Sequence, residues 1–192
     1  SIFTGKEGRT TDFVKIAWRM SKKDAPPEIY PIFIAKKSKD LMIRGKDFYA
    51  VWDEDKGQWS TNQDDVVDMI DNAMDQYRRD NKEAFPALEH ARMMYMWNAD
   101  TGSIDKWHKY VQKQLPDNYH PLDEKLVFMN SPSCREDYSS KRLNYDLAEG
   151  DCKAWDELIG TLYVPGERHK LEWAIGSIVT GESKTLQKFL VL

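Results

Sequence analysis

The stretch KDLMIRGKDFYAVWDEDKGQWSTN, residues 39–62, constrains the fold more than any other part of the chain. Phe48, Ala50 and Trp52 alternate with Tyr49 and Val51 in a run of β-favouring residues. Asp53 to Gly57 supplies turn chemistry, and Trp59 opens a return strand. Alternation with a period of two is what a pleated strand imposes on its side chains, so a β-hairpin is expected here, with Leu41 to Arg44 as a third strand joined at Gly45. Such a sheet needs a cover for its apolar face. The next segment, STNQDDVVDMIDNAMDQYRR, provides one, because Val66, Ile70, Ala73, Met74 and Tyr77 fall on one stripe of a helix. Thr61 or Asn62 can cap it, with Asp64 and Asp65 at the positive end of its dipole and Arg78 and Arg79 at the negative end.

The flanking segments give weaker signals. Phe13, Ile16, Ala17 and Met20 have helical spacing, so a short helix is expected to open near Thr11 or Asp12. Pro26 and Pro27 break it, and IYPIFIA then reads as a short strand. A second helix is expected from Pro86, using Leu88, Ala91 and Tyr95. A third has Ser103 as its cap, Ile104, Trp107, Val111 and Leu115 on one face, and Pro116 as its stop. A strand is expected around Leu126 to Met129, followed by the polar loop SPSCREDYSSKR. Asp151 should cap a helix with the stripe Trp155, Leu158, Ile159 and Leu162. Pro165 should open another, with the stripe Leu171, Ala174, Ile175 and Ile178, ended by Gly181. The terminal LQKFLVL reads as a buried strand. The expected class is α+β: a small N-terminal β-hairpin and sheet with a long helix (1–82), packed with a mainly helical C-terminal part (83–192).

Composition narrows the function. The 192 residues are 41% hydrophobic and include seven Trp, nine Tyr and seven Phe, enough for a packed core and an aromatic contact surface. The net charge of −4 argues against binding nucleic acid through the whole surface but allows a local basic stripe. Cys134 and Cys152 are too few for a disulfide scaffold and read as free thiols in a reducing cytoplasm. No apolar stretch approaches the roughly 20 residues a membrane-spanning helix needs, so no membrane partner is expected. SIFTGKEGRTTD lacks the apolar core of a signal peptide. The start on Ser1 and the abrupt apolar end suggest a piece of something longer.

Catalytic constellations are sparse. His90, His108, His120 and His169 show none of the close spacings of zinc sites, so no metal ligands are expected. Asp64, Asp65, Asp68, Asp71 and Asp75 read as the solvated face of one helix, although a two-metal nuclease would use such residues if they converged in a cleft. Neither cysteine has a neighbouring His to activate it, and no Gly-x-Ser-x-Gly elbow is present. TGKEGRT departs from the Walker pattern of a phosphate loop. Basic residues cluster at Lys36, Lys37, Lys39, Arg44 and Lys46, with aromatic Phe48, Tyr49 and Trp52 just beyond. Cations interleaved with rings suit the backbone and bases of single-stranded nucleic acid, while the plainer alternative is a set of lysines guarding an edge strand.

The last third, LNYDLAEGDCKAWDELIGTLYVPGERHKLEWAIGSIVTGESKTLQKFLVL, resembles the segment just upstream of the ATPase core in phage and viral primase–helicases of superfamily 3. The resemblance rests on Leu143-Asn144-Tyr145, the pair Trp155-Asp156, Gly176 with Thr180-Gly181, and the final apolar run. The hairpin FYAVWDEDKGQW and its following helix are similar to the start of the same region. The resemblance implies a collar or adaptor that helps assemble ATPase rings and guides DNA during DNA replication, in the cytoplasm of a phage-infected or prophage-carrying bacterial cell. It also implies that a Gly-Lys-Ser/Thr phosphate loop should follow Leu192, with ATP and Mg bound only by that further domain. The chain itself has no Walker motifs and no arginine finger, so no catalytic residues and no cofactor are expected within it. The implied partners are single-stranded DNA, through Lys36, Lys37, Lys39, Arg44, Lys46, Tyr49 and Trp52, and further copies of the protein in a ring. The alternative is a virion or protein-interaction module without helicase activity.

Overall fold

A computed structural model describes residues 11–22, 24–115 and 117–180. The expected strand at residues 186–192, the Gly181 terminator, the Pro116 stop and the whole of TGKEGRT lie outside them. The fold is α+β, as expected. Two three-stranded sheets, ordered β1-β2-β6 and β3-β4-β5, are accompanied by four α-helices among the described residues. The chain divides into two compact units, one formed by Ser1–Val127 with Pro132–Arg142 and the other by Phe128–Ser131 with Leu143–Leu192. Neither unit has a boundary at residue 82, where the sequence suggests a division. Helices α1 (Gln63–Asn81) and α2 (Ser103–Gln114) bury Ile70, Met74, Trp107 and Val111 in one shared core, and a core cannot be split between domains.

The first sheet corrects the opening of the chain. Residues expected to be helical form β1 (Val14–Arg19), paired antiparallel with β2 (Glu28–Phe33) from Val14↔Phe33 to Arg19↔Glu28. Val14, Ile16 and Trp18 also alternate with Lys15, Ala17 and Arg19, and pairing along the whole strand satisfies backbone groups that a single isolated helical turn would leave open. β2 lies where IYPIFIA predicts a strand. Its Pro31 costs little, since β6 (Arg92–Met93) pairs in parallel only with Glu28 and Ile29. Glu28 is buried between two cations in register with it. Arg19 donates to its Oε2 from Nε and Nη2 at 3.0 Å, and Arg92 Nη1 lies 3.9 Å from Oε1.

β6 occupies the place of the helix expected from Pro86. Only a 3-10 turn, Pro86–His90, forms there. The chain is then drawn into the sheet by Arg92 N–H to Pro27 O at 2.8 Å and Met94 N–H to Ile29 O at 2.9 Å. Leu88 is fully buried all the same.

The second sheet follows the sequence closely. β3 (Leu41–Arg44), β4 (Asp47–Asp53) and β5 (Gln58–Ser60) form the expected three strands, with Gly45 and Gly57 at positive φ in the two turns. Register slips between Met42↔Ala50 and Ile43↔Phe48, leaving Tyr49 as the extra residue of a bulge. One consequence is that Tyr49 joins Ala50 and Trp52 on the face away from the main core. Asn62 caps α1 through its side chain, accepting from Asp64 N–H at 3.1 Å. α1 packs on β1, β2 and β4, closing a core around Phe13, Ile29, Ile70, Met74 and Trp107. Ser103 is not the cap of α2, because Gly102 takes the cap position in a left-handed conformation.

The other face of the second sheet is covered by residues 117–127 and 132–142, which have no regular structure beyond a 3-10 turn, Arg135–Asp137. Asn118 Nδ2 donates to Ser38 O and Leu41 O at 3.0 and 2.9 Å, and Ile43 N–H donates to Asn118 O at 3.1 Å. Tyr138 stacks on Trp59 at 6.0 Å and on His120 at 3.5 Å between ring centroids. The strand expected around Leu126 to Met129 is absent: Val127 is buried, but no strand of either sheet pairs with it.

In the second unit, Asn130 uses both ends of its amide on Leu147, donating to its O at 2.8 Å and accepting from its N–H at 2.9 Å. Helices α3 (Lys153–Leu162) and α4 (Pro165–Thr180) start as expected, except that Asp151 is not the cap of α3, which has Cys152 at that position and no side-chain cap bond. The two helices are joined by polar contacts. Trp155 Nε1 donates to Glu172 Oε1 at 3.0 Å, Arg168 Nε donates to the same oxygen at 2.7 Å, and Arg168 Nη2 pairs with Asp156. Of the predicted stripes only Ile159 is fully buried, while Leu158, Leu162, Ile175 and Ile178 are exposed.

Candidate functional site

Two places in the first unit bring chemistry-bearing side chains together. The first lies around β3. Lys36 and Lys37 end a 3-10 turn, Ala35–Lys37, and Lys39 follows it. Arg44 ends β3, and Lys46 lies in the turn to β4. All five cations are exposed, and none forms an ion pair among the described residues. They form two groups, separated by the length of a four-residue strand, about 13 Å.

Only the second group meets aromatic rings. The guanidinium of Arg44 lies 5.2 Å from the centre of the Tyr119 ring, and Tyr119 packs on Tyr49 at 5.1 Å. The bulge that turns Tyr49 to this face makes that contact possible. Burial, followed by the neighbouring Tyr119, raises the Tyr49 phenol above its ordinary value, so the hydroxyl stays protonated. Trp52 does not belong to this surface. It is only 7% exposed and packs edge-on against Trp59 in the core at 5.8 Å. The expectation that it stacks on a nucleic-acid base is thereby corrected: a β4 residue facing the covering segment has no free ring face to offer. Tyr119 was not signalled by the sequence, since it sits in a polar loop with no period to mark it. The guard-strand alternative also loses ground, because Asn118 already covers the outer edge of β3.

The second place is a cavity of about 530 Å³ between the exposed side of α1 and the ends of β3 and β4. Met69 and Ala73 give the α1 wall its apolar strip, with Asn72, Gln76 and Arg79 beside it. Asp40, Trp52, Asp53 and Glu54 complete much of the remaining lining. Arg135 also lines it: its Nη2 lies 2.6 Å from Asp40 Oδ1 and 4.0 Å from Glu54 Oε2, and its guanidinium is 6.0 Å from the centre of the Trp52 ring. Trp52 Nε1 in turn donates to Glu54 Oε2 at 2.5 Å. Burial raises the Asp40 carboxyl above the usual carboxylate range, and the nearby Asp12 carboxylate adds to the effect, while Arg135 opposes it.

The acidic row on α1 is not simply a solvated face. Asp71 Oδ1 accepts from Met96 N–H at 2.6 Å, Asp75 Oδ1 from Tyr95 O–H at 2.6 Å, and Asp65 Oδ2 from Ser60 O–H at 2.6 Å. These carboxylates fasten neighbouring segments to the helix. Among the described residues no group of His, Cys, Asp or Glu is arranged to hold a metal ion, and no helix is long and apolar enough to cross a membrane. Cys134 and Cys152 are free thiols, both exposed. Comparison with protein-family models, with curated proteins and with solved structures gives no match to this chain.

Proposed function

We propose that the chain is an accessory region of a phage-type DNA replication helicase or primase, supporting ring assembly and engaging single-stranded DNA. The observation that carries the DNA part is the Arg44–Tyr119–Tyr49 cluster beside Lys46, a cation and two rings on an exposed edge of an otherwise acidic protein. Base stacking on such rings is tolerant of sequence, and unpaired cations attract the phosphate backbone, so the strand is bound without base-specific readout. Lys36, Lys37 and Lys39 extend the positive surface to the other end of β3. The cytoplasm of a phage-infected or prophage-carrying bacterium is the compartment this reading implies, with ATP and Mg acting on another part of the same machine.

Fluorescence anisotropy with single-stranded DNA across a salt series tests the reading. Binding should weaken steeply with salt, and Arg44→Ala and Tyr119→Ala should each weaken it. Absent or salt-insensitive binding removes the DNA role.

A second reading, a protein-interaction module, draws on the exposed apolar residues of α3 and α4, among them Leu158, Leu162, Trp173 and Ile178. It predicts a discrete oligomer or hetero-complex in sedimentation experiments that contain no nucleic acid.

A further inference from the structure

The cavity beside α1 has a chemistry of its own. At about 530 Å³ it is far larger than a site for a single ion or water, and it falls in the range of sites for small organic ligands. Some residues of its lining also carry buried polar atoms without hydrogen-bond partners. Five such side-chain atoms occur among the described residues, and three of them, Thr11 Oγ1, Asp40 Oδ1 and Arg135 Nε, belong to residues that line this cavity. Asp40 is itself more than nine-tenths buried, and its Oδ1 is held by Arg135 Nη2 at 2.6 Å.

The lining is also polarised. Arg135 has its charge answered by Asp40. Arg79 does not: Nη2 donates to the neutral Gln76 Oε1 at 2.8 Å, and Arg79 enters no ion pair among the described residues. Asn72 lies one turn before Gln76 and is exposed, with a donor and an acceptor free of hydrogen bonds among the described residues. Elsewhere in the lining, Asp40, Asp53 and Glu54 offer acceptors only, and Asp53 is paired with Lys56 at 3.1 Å. Met69, Ala73 and the rim of Trp52 form an apolar surface between these polar groups. A matching ligand carries an anionic group for Arg79, a flat apolar body, and N–H or O–H donors for the carboxylates.

We infer that this cavity binds a nucleoside monophosphate. Its phosphate pairs with Arg79, its base lies against Met69 and Ala73 with an edge reaching the Asn72 amide, and its remaining donors meet Glu54. The inference does not rest on the strand-binding reading, since none of Arg44, Tyr49 and Tyr119 lines the cavity.

Isothermal titration of the intact chain with AMP and GMP, with the corresponding nucleosides and with inorganic phosphate alone provides the test. At least one nucleotide should bind saturably. Removing its phosphate should weaken it by roughly tenfold, and so should Arg79→Ala. Asn72→Ala should weaken the nucleotide but leave inorganic phosphate unaffected. Arg79 and Asn72 are exposed on the outside of α1, so these variants keep the fold, and circular dichroism checks that they do. Three results each overturn the inference: no saturable binding of either nucleotide in the millimolar range, nucleotide affinity unchanged by Arg79→Ala, or inorganic phosphate binding as tightly as the nucleotide. Salt-sensitive binding of single-stranded DNA can survive any of them, so failure here is distinguishable from failure of the DNA reading.

Discussion

The indole N–H of Trp59 donates to the backbone carbonyl of Arg135 at 2.9 Å, across a separation of 76 residues. Trp59 N–H also donates to Ser139 O at 2.8 Å, so one β5 residue holds the covering segment at two points. Trp59→Phe keeps much of the ring but leaves a carbonyl without its donor. We predict a loss of about 1–3 kcal/mol, seen in urea denaturation as a lower midpoint with an unchanged slope. A variant as stable as the parent would show that the covering segment contributes nothing through this residue.

Asn118 fastens the same segment at its other end. Its amide serves two main-chain carbonyls, Ser38 O and Leu41 O, which accept from no other side chain among the described residues. Asn118→Ala is expected to cost about 1–2 kcal/mol. Hydrogen exchange should localise the change, with faster exchange at Ile43 N–H, which donates to Asn118 O.

Asp137 makes the stability depend on pH. Its carboxylate accepts from Lys125 and from Cys134 N–H, and the Lys125 bond, followed by the Cys134 one, holds its pKa below the usual carboxylate range. A carboxyl lowered in the folded state stabilises fully above its unfolded value, near 3.9, and loses that stabilisation as pH falls through the folded value. Asp40, raised by burial, acts in the opposite direction. The difference between Asp137→Asn and the parent isolates the first effect. Thermal melts from pH 6 down to acid should show the two curves converging, and a constant gap would refute the assignment.

Tyr95 should be visible in an alkaline titration. Burial, then its hydrogen bond to Asp75, pushes the phenol up to about 12. The unfolded chain ionises this group near 10, so its contribution to stability is lost as pH rises from there through the folded value. Tyr95→Phe should remove an absorbance step near pH 12 while leaving the earlier phenol steps in place. If every tyrosine of the parent titrates below 11, the half-buried Tyr95–Asp75 pair is not formed in solution.

The parts of this fold that could be read from the sequence are those built from neighbours along the chain. The β3–β5 hairpins announce themselves through alternation and turn residues, and α1 through its stripe and the Asn62 cap, because those signals and the interactions that use them lie within a few residues of each other. β1 was misread because Phe13, Ile16, Ala17 and Met20 satisfy a helical period while Val14, Ile16 and Trp18 satisfy a strand, and only the distant β2 decides between them. Residues 117–142 were harder still. Asn118, Arg135 and Tyr138 act through single bonds and ring contacts with partners far away in sequence, which leave no period at all. The candidate surface shows the same split: Arg44, Lys46 and Tyr49 lie together in sequence, whereas Tyr119 and Arg135 reach their places only through folding.

The cover over the second sheet also sets a timetable. Chains leave the ribosome N-terminus first, at about 5–20 residues per second, so β5 is complete for several seconds before Arg135 and Ser139 have been made. During that interval the Trp52 and Trp59 face of a finished hairpin has nothing to rest on. The first unit therefore cannot close as translation proceeds along it, and must wait until Arg142 has cleared the exit tunnel. Synthesis, rather than the intrinsic speed of a hairpin, then governs when this domain is born, and a pause upstream of residue 132 would prolong its most vulnerable moment.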